Sequence, residues 1–320
     1  MSKILVVGSS NTDLIAQVDR FPMAGETVEG KFFLQAMGGK GANQALAAHR
    51  LGGNVKFVTC LGNDANGKNT LKYYQQEGLD VSSALIVKDA PTGTAMILVN
   101  QEGENCIVIT PGANQELSPA YIENIEDEIA TASMVVLQME IPMETVRKVC
   151  EIASRFNTQV LLNVAPARKV DASLLKLVDI LVVNETEIEK ISGMSIATNG
   201  EEAVIDYILA MGAGTVILTL GRKGCVVRNH QVNTRINAFQ VDAVDTTAAG
   251  DTFCGALVAK LSKGTDLVEA LKFATASSAV CVMKLGAQPS IPTETEVKAF
   301  LSKDIALVEN GAEKTNQSNK

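Results

Sequence analysis

Residues 134–187, MVVLQMEIPMETVRKVCEIASRFNTQVLLNVAPARKVDASLLKLVDILVVNETE, decide the fold. Three short apolar runs, Met134 to Gln138, Val160 to Val164 and Ile180 to Val183, alternate with stretches of helical period, Pro142 to Phe156 and Val170 to Leu177. A further helical stretch, Ser118 to Ala130, leads into them. Strands that are apolar on both faces and separated by helices belong to a parallel sheet covered on both sides. The expected fold is therefore α/β, with three α/β/α layers around a mostly parallel central sheet.

Working outward, Lys3 to Ser9, Asn54 to Leu61 and Val216 to Leu220 read as further strands, and Gln44 to Leu51, Asn66 to Glu77 and Asp266 to Lys284 as helices. Asn237 to Val241 reads as a strand delivering the chain to Asp245. Two segments break the rhythm. Glu26 to Met37 alternates like a strand, and Thr92 to Asn100 with Asn105 to Thr110 forms a hairpin about residues 101–104. They predict a small accessory sheet, a lid made of about 14–37 and 92–110. Its apolar positions, such as Ala95, Ile97 and Val99, are expected to pair with a second copy, giving a homodimer. One α/β domain is expected over 1–302. Beyond it, 303–320 lacks apolar periodicity and reads as a disordered polar tail.

The chain has 320 residues, with 46% hydrophobic, 20% charged and a net charge of −8. With no basic cluster and no Trp, a nucleic-acid surface is disfavoured. The six cysteines form no C-x-x-C pair and the two histidines, His49 and His230, stand far apart, so a zinc site or a His-based triad is poorly supported. No apolar run is long enough for a membrane span, and a cytoplasmic location is expected.

The chemistry concentrates late in the chain, at Asp245-Thr246-Thr247-Ala248-Ala249-Gly250-Asp251, ahead of a helix read as Thr252 to Lys263. Residues almost without side chains let backbone N–H groups approach an anion, and a helix start adds unpaired donors and partial positive charge. An acid beside such a cradle has one obvious task, taking a proton from a hydroxyl that attacks a phosphate. The same residues also read as ordinary N-cap chemistry. Asn11 and Asp13, just past the first strand, can grip a polyol or simply form a turn. Gly38-Gly39-Lys40-Gly41-Ala42-Asn43 allows backbone to close on a ligand, with Lys40 and Asn43 as polar contacts. Glu140 and Asn184-Glu185-Thr186-Glu187 lie past other strand ends, where Glu187 equally suits helix capping. The turn Thr219 to Gly224 suits a nucleotide or a plain hairpin. Neither G-x-x-x-x-G-K-[ST] nor G-x-G-x-x-G occurs, so neither a P-loop nor a dinucleotide fingerprint is present.

Taken together, NTD at 11–13, GGKGAN at 38–43, Glu140, NETE at 184–187, TLGRKG at 219–224, DTTAAGD at 245–251 and GAQPS at 286–290 resemble the PfkB family of carbohydrate kinases, and within it the ribokinase group. The resemblance covers roughly 3–302. It implies transfer of the γ-phosphate of ATP to D-ribose, with Asp251 as base and the N–H groups of Ala248, Ala249, Gly250 and Asp251 as anion hole. It implies sugar contacts from Asn11, Thr12, Asp13, Gly39, Lys40, Gly41, Ala42, Asn43 and Glu140. Nucleotide contacts would come from Asn184, Thr219, Leu220, Gly221, Arg222, Lys223, Gly224, Gly250, Asp251 and Thr275, and Glu187 would help place Mg²⁺. A K⁺ site would use Asp245, the carbonyls of Thr247, Cys281, Lys284 and Gly286, and Ser290. Close alternatives are the same chemistry on 2-deoxyribose, a nucleoside or another sugar; a more distant one is a non-catalytic sugar-binding protein on the same fold.

Overall fold

The computed structural model describes residues 2–303. The chain runs β1 (Lys3–Val7), β2 (Asn11–Val18), β3 (Gly30–Gly38), α1 (Lys40–Arg50), β4 (Asn54–Val58), β5 (Cys60–Gly62), α2 (Ala65–Gln76), β6 (Leu85–Val87), β7 (Gly93–Val99) and β8 (Asn105–Thr110). It continues with α3 (Pro119–Asn124), α4 (Glu126–Thr131), β9 (Met134–Leu137), α5 (Met143–Phe156), β10 (Gln159–Asn163), α6 (Ala172–Leu175), β11 (Ile180–Asn184), α7 (Glu185–Ser192), α8 (Ile196–Asn199) and α9 (Glu201–Met211). The last elements are β12 (Thr215–Thr219), β13 (Cys225–Arg228), β14 (Asn233–Ile236), α10 (Ala249–Leu261), α11 (Leu267–Val282) and a helical stretch 294–303.

The large sheet has the order β14-β13-β12-β11-β10-β9-β1-β4, parallel from β4 to β12 and antiparallel at β13 and β14. Alternation along β1 shows why its strands are apolar throughout. Ile4 and Val6 enter the core under α1, α10 and α11, while Leu5 and Val7 enter the one under α5, α7 and α9. All four are fully buried, and each such side chain contributes about 1.5–3 kcal/mol. Among the described residues no helix is long and apolar enough to cross a membrane.

The accessory sheet is present, in the order β3-β2-β7-β8. Its second strand, β2, starts on the polar pair Asn11 and Asp13, which is why an apolar pattern hid it. Ala95 is buried and Ile97 and Val99 are half-buried, so they are not an exposed face; the exposed apolar positions are Met96, Ile107, Val108, Ile109, Phe32 and Phe33.

Several boundaries differ from the sequence reading, each for a local reason. Residues 237–241 form no strand: β13 begins at Cys225, which pairs with Ile236, so a longer β14 would have nothing to pair with. The stretch 118–130 breaks at Ile125 into α3 and α4, and 54–61 breaks at Thr59 as β5 leaves for a two-stranded sheet with β6. Helices α1 and α10 start at Lys40 and Ala249, four and three residues early, because Gly41 and Gly250 in their first turns give those stretches the look of a loop. Apart from Lys303, the expected tail lies outside the described residues.

Candidate active site

Asp251 sits in the first turn of α10, almost buried. It meets α1 because those helices pack unusually close: a Cβ on Gly255 would lie 2.5 Å from Ala47 Cβ. That approach brings two neighbouring amides of α1 onto the carboxylate. Asn43 Nδ2 donates to Oδ2 at 3.0 Å and Gln44 Nε2 donates to Oδ1 at 2.9 Å.

The sugar-binding candidates surround this carboxylate. Asn11 pairs with Gly38 across β2 and β3, and the backbone crowds tightly there. A Cβ on Gly38 would lie 2.1 Å from Asp13 Oδ2, and Gly39, at φ +90°, leaves only 2.8 Å between its Cβ position and Asn11 N. Asn114 Nδ2 donates to Asn11 Oδ1 at 2.8 Å and so fixes which end of that amide faces away. Glu140 Oε2 accepts from Ser9 Oγ at 2.6 Å and from Lys40 N at 3.0 Å, which ties it to the start of α1. Strand alternation turns Thr12 to the opposite face of β2, so its side chain does not join Asn11 and Asp13. Gly41 and Ala42 are buried in the first turn of α1, where a Cβ on Gly41 would strike Ser9 N at 2.5 Å. Asn43 Oδ1 is buried without a hydrogen-bond partner among the described residues, an acceptor waiting for a donor such as a hydroxyl.

The electrostatics follow from one ammonium among several acids. Asp251, with Glu140 and Glu187, raises the Lys40 ammonium above its ordinary value against the opposing effect of burial. Burial first, then Glu140 and Asp251, pushes the Asp13 carboxyl up to about 7, with Lys40 opposing. Burial also raises Glu187. The cluster is rich in acceptors for hydroxyls, and a phosphate needs separate donors.

Those donors stand at the N-terminus of α10. Ala248, at φ 60°, caps the helix, and the N–H groups of Ala248, Gly250 and Asp251 have no hydrogen-bond partner among the described residues. The fourth N–H expected in the anion hole, that of Ala249, reaches Thr246 O at 3.2 Å. Further along the sheet edge, Asn184 pairs with Thr219 across β11 and β12, and Thr219 with Cys225 across β12 and β13. Burial pushes the Cys225 thiol up to about 11 although Thr275 hydrogen-bonds to it, so Thr275 belongs to the same corner. Gly221, Arg222 and Lys223 form an exposed turn, closed by Leu220 N donating to Gly224 O at 2.8 Å. Asn184 and Glu187 form a reciprocal capping box on α7, at 2.9 and 2.8 Å. Glu187 thus caps α7 while its charge couples to Lys40 and Asp251.

Behind the N-terminus of α10, Asp245 Oδ1 accepts from Thr247 N at 2.8 Å and Oδ2 from Gly286 N at 2.9 Å. Cys281 Sγ lies 3.1 Å from Ser290 Oγ and 3.8 Å from Thr247 O. Burial works to raise the Asp245 carboxyl, and the bonds from Thr247 and Gly286 more than offset it, holding it below the usual range. Lys284 N donates to Cys281 O at 3.1 Å, so Lys284 adjoins this cluster. A carboxylate with backbone and hydroxyl oxygens is a donor set that fits a hard monovalent cation, such as K⁺. No cluster of three or more His, Cys, Asp or Glu suited to a metal occurs among the described residues, so a divalent ion would depend on a substrate's phosphates for most of its ligands.

Nothing in local sequence singles out Ser9, Gln44, Asn114, Gln138 or Asn163, which support the site from behind. The one available signal is a polar residue ending an apolar strand, as Asn163 does.

Residues 1–294 match the family model described as pfkB family carbohydrate kinase. A ribokinase of Haemophilus influenzae is 40% identical over 301 residues, covering 93% of this chain and 98% of that protein. A deoxyribokinase of Salmonella typhi is 35% identical over 301 residues, again covering 93% of this chain and 98% of that protein. The structure of an Arabidopsis thaliana ribokinase complexed with ribose and ATP is similar at a TM-score of 0.86 and 31% identity, covering 94% of this chain and 98% of that one. The chain belongs to the pfkB family of carbohydrate kinases.

Proposed function

We propose that this chain is an ATP-dependent kinase that phosphorylates the 5-hydroxyl of D-ribose, giving D-ribose 5-phosphate. The carrying observation is the buried Asp251 carboxylate, gripped by Asn43 and Gln44 beside unpartnered N–H groups at the start of α10. Asn11, Asp13, Gly39, Lys40, Asn43 and Glu140 hold the sugar's hydroxyls, the acidic members as acceptors and Lys40 and the amides as donors. Asn184, the turn from Thr219 to Gly224, and Thr275 take the nucleotide.

Asp251 receives the proton of the 5-hydroxyl as that oxygen bonds to the γ-phosphorus, the bridging P–O bond breaks and ADP leaves with its electrons. The N–H groups of Ala248, Gly250 and Asp251 meet charge on the transferred phosphoryl oxygens. Glu187 is the residue that would help hold a Mg²⁺ ion bound with ATP, which would supply neutralisation of the phosphate charge. Asp245, Ser290 and the carbonyls of Thr247, Cys281, Lys284 and Gly286 would hold a K⁺ ion, which would supply positive potential behind the anion hole.

The β3-β2-β7-β8 sheet acts as a lid that excludes water from the transfer. Its exposed apolar positions on β3, β7 and β8 pair two copies into a homodimer. Buried free thiols such as Cys60, Cys150 and Cys254 suit a reducing cytoplasm.

A second reading, 2-deoxyribose as acceptor, draws support from the equally well covered deoxyribokinase relative. Comparing kcat/KM for ribose, 2-deoxyribose and nucleosides with ATP and Mg²⁺ separates the two. Ribose is expected to lead. A lead by 2-deoxyribose transfers the proposal to that sugar, and ATP consumption indifferent to every sugar ends it.

A further inference from the structure

We infer that Gln44, backed by Gln138 and Asn163, is a positioning residue that fixes the rotation of the Asp251 carboxylate and reserves Oδ2 for the substrate's proton. The inference rests on the reading of Asp251 as base. All three amides are buried, Gln44 and Gln138 almost completely.

Their orientation follows from a single group that can only accept. Asn163 Nδ2 donates to the Val182 carbonyl at 3.2 Å, which turns Asn163 Oδ1 toward Gln44 Nε2, 3.0 Å away. Gln44 must then present its oxygen to Gln138 Nε2, at 2.8 Å, and its remaining N–H to Asp251 Oδ1, at 2.9 Å. Reversing any one amide sets donor against donor or oxygen against oxygen. One backbone carbonyl of β11 thereby dictates the hydrogen bonding of a carboxylate on α10, through residues of β10, α1 and the end of β9.

The fixed Gln44 N–H stabilises negative charge on Oδ1 and so disfavours a proton there. Oδ2 has only the Asn43 amide against it, whose own oxygen is unpartnered and can accept once Oδ2 is protonated. The transferred proton therefore goes to Oδ2, and the attacking hydroxyl must approach on that side. Gln138 Oε1 is left buried without a partner, and a Cβ on Gly8 would lie 2.1 Å from it. A row of core residues chosen for packing would not keep an orphan oxygen there.

The test uses the full chain and compares wild type, Asp251→Asn, Gln44→Met, Gln44→Glu and Gln138→Met by kcat, KM for ribose, pH profile and thermal melting. Misdirecting a reacting group costs up to about 100-fold, so Gln44→Met is expected to lower kcat about 10- to 100-fold while KM for ribose stays within about twofold. Gln138→Met, which breaks one bond where Gln44→Met breaks three, is expected to lower kcat about 3- to 10-fold by freeing the Gln44 amide. Gln44→Glu should add a fall in kcat with rising pH absent from the wild type, since an ionised carboxylate can no longer donate to Oδ1. Folded Gln44 and Gln138 variants with wild-type kcat and pH profile, beside an inactive Asp251→Asn, overturn the positioning role alone. Normal turnover by Asp251→Asn overturns the base assignment and the inference with it.

Discussion

Replacing Asp13 by Asn should make the protein without sugar more stable at pH 8 and a poorer binder of ribose. Burial, Glu140 and Asp251 push this carboxyl from 3.8 to about 7. A carboxyl that is harder to ionise in the folded chain than in the unfolded one binds more protons when folded, so its contribution to stability falls as pH rises. That contribution is complete below about pH 4, declines between about 4 and 7, and is fully lost above about 7. The difference amounts to on the order of 4 kcal/mol at pH 8, an upper figure because Glu140 and Asp251 adjust in the same cluster. Asn keeps the shape and carries no charge, so the variant escapes this loss. At about 2 °C per kcal/mol for a chain of this size, the melting temperature without sugar should rise by roughly 4–8 °C at pH 8 and by little at about pH 4. The sugar loses a charged acceptor worth about 1.5–3 kcal/mol, so KM for ribose should rise roughly 10- to 100-fold. Melting curves at both pH values, with steady-state KM, test both halves. A variant less stable than wild type at pH 8, or a difference independent of pH, refutes the electrostatic account of Asp13.

Gly255→Ala sets a Cβ 2.5 Å from Ala47 Cβ and 2.7 Å from Ala48 N. Spreading α1 from α10 should cost about 1–3 kcal/mol on a denaturant curve and lower kcat as Asn43 and Gln44 lose Asp251; unchanged kcat would show that the helix spacing does not set the base. Exchanging K⁺ for Na⁺ at fixed ionic strength should slow turnover, and identical rates would remove the cation from the Asp245 loop. Val108→Lys, on the exposed strand β8, should shift the protein from dimer to monomer by light scattering, whereas a persisting dimer places the interface elsewhere.

The central sheet was legible because parallel strands buried on both faces leave unbroken apolar runs, as in Met134–Leu137 and Ile180–Asn184. Helix α9 carries a readable signal as well, with Val204, Ile205 and Ile208 buried on one face behind an acidic first turn at Glu201 and Glu202 that suits a helix start. The starts of α1 and α10 were obscured because a first turn containing Gly beside polar residues, Lys40-Gly41-Ala42-Asn43 and Ala249-Gly250-Asp251-Thr252, has the composition of a loop. Most of the site's residue types could be read from motifs at strand ends. Their meeting could not: Asn43 and Gln44 reach Asp251 across 208 and 207 positions, and only the close α1–α10 packing brings them together. Gln44 and Gln138 carry no local mark, and Asn163 only its place at the end of an apolar strand, because a buried amide becomes informative only when its partner is known.

Single-turnover phosphorylation of ribose by Asp251→Asn, with ribose binding measured on the same sample, tests the account most directly. A general base contributes about 10²- to 10⁴-fold, so formation of the sugar phosphate should slow by about that factor while ribose still binds. Product formed at the wild-type rate would contradict it.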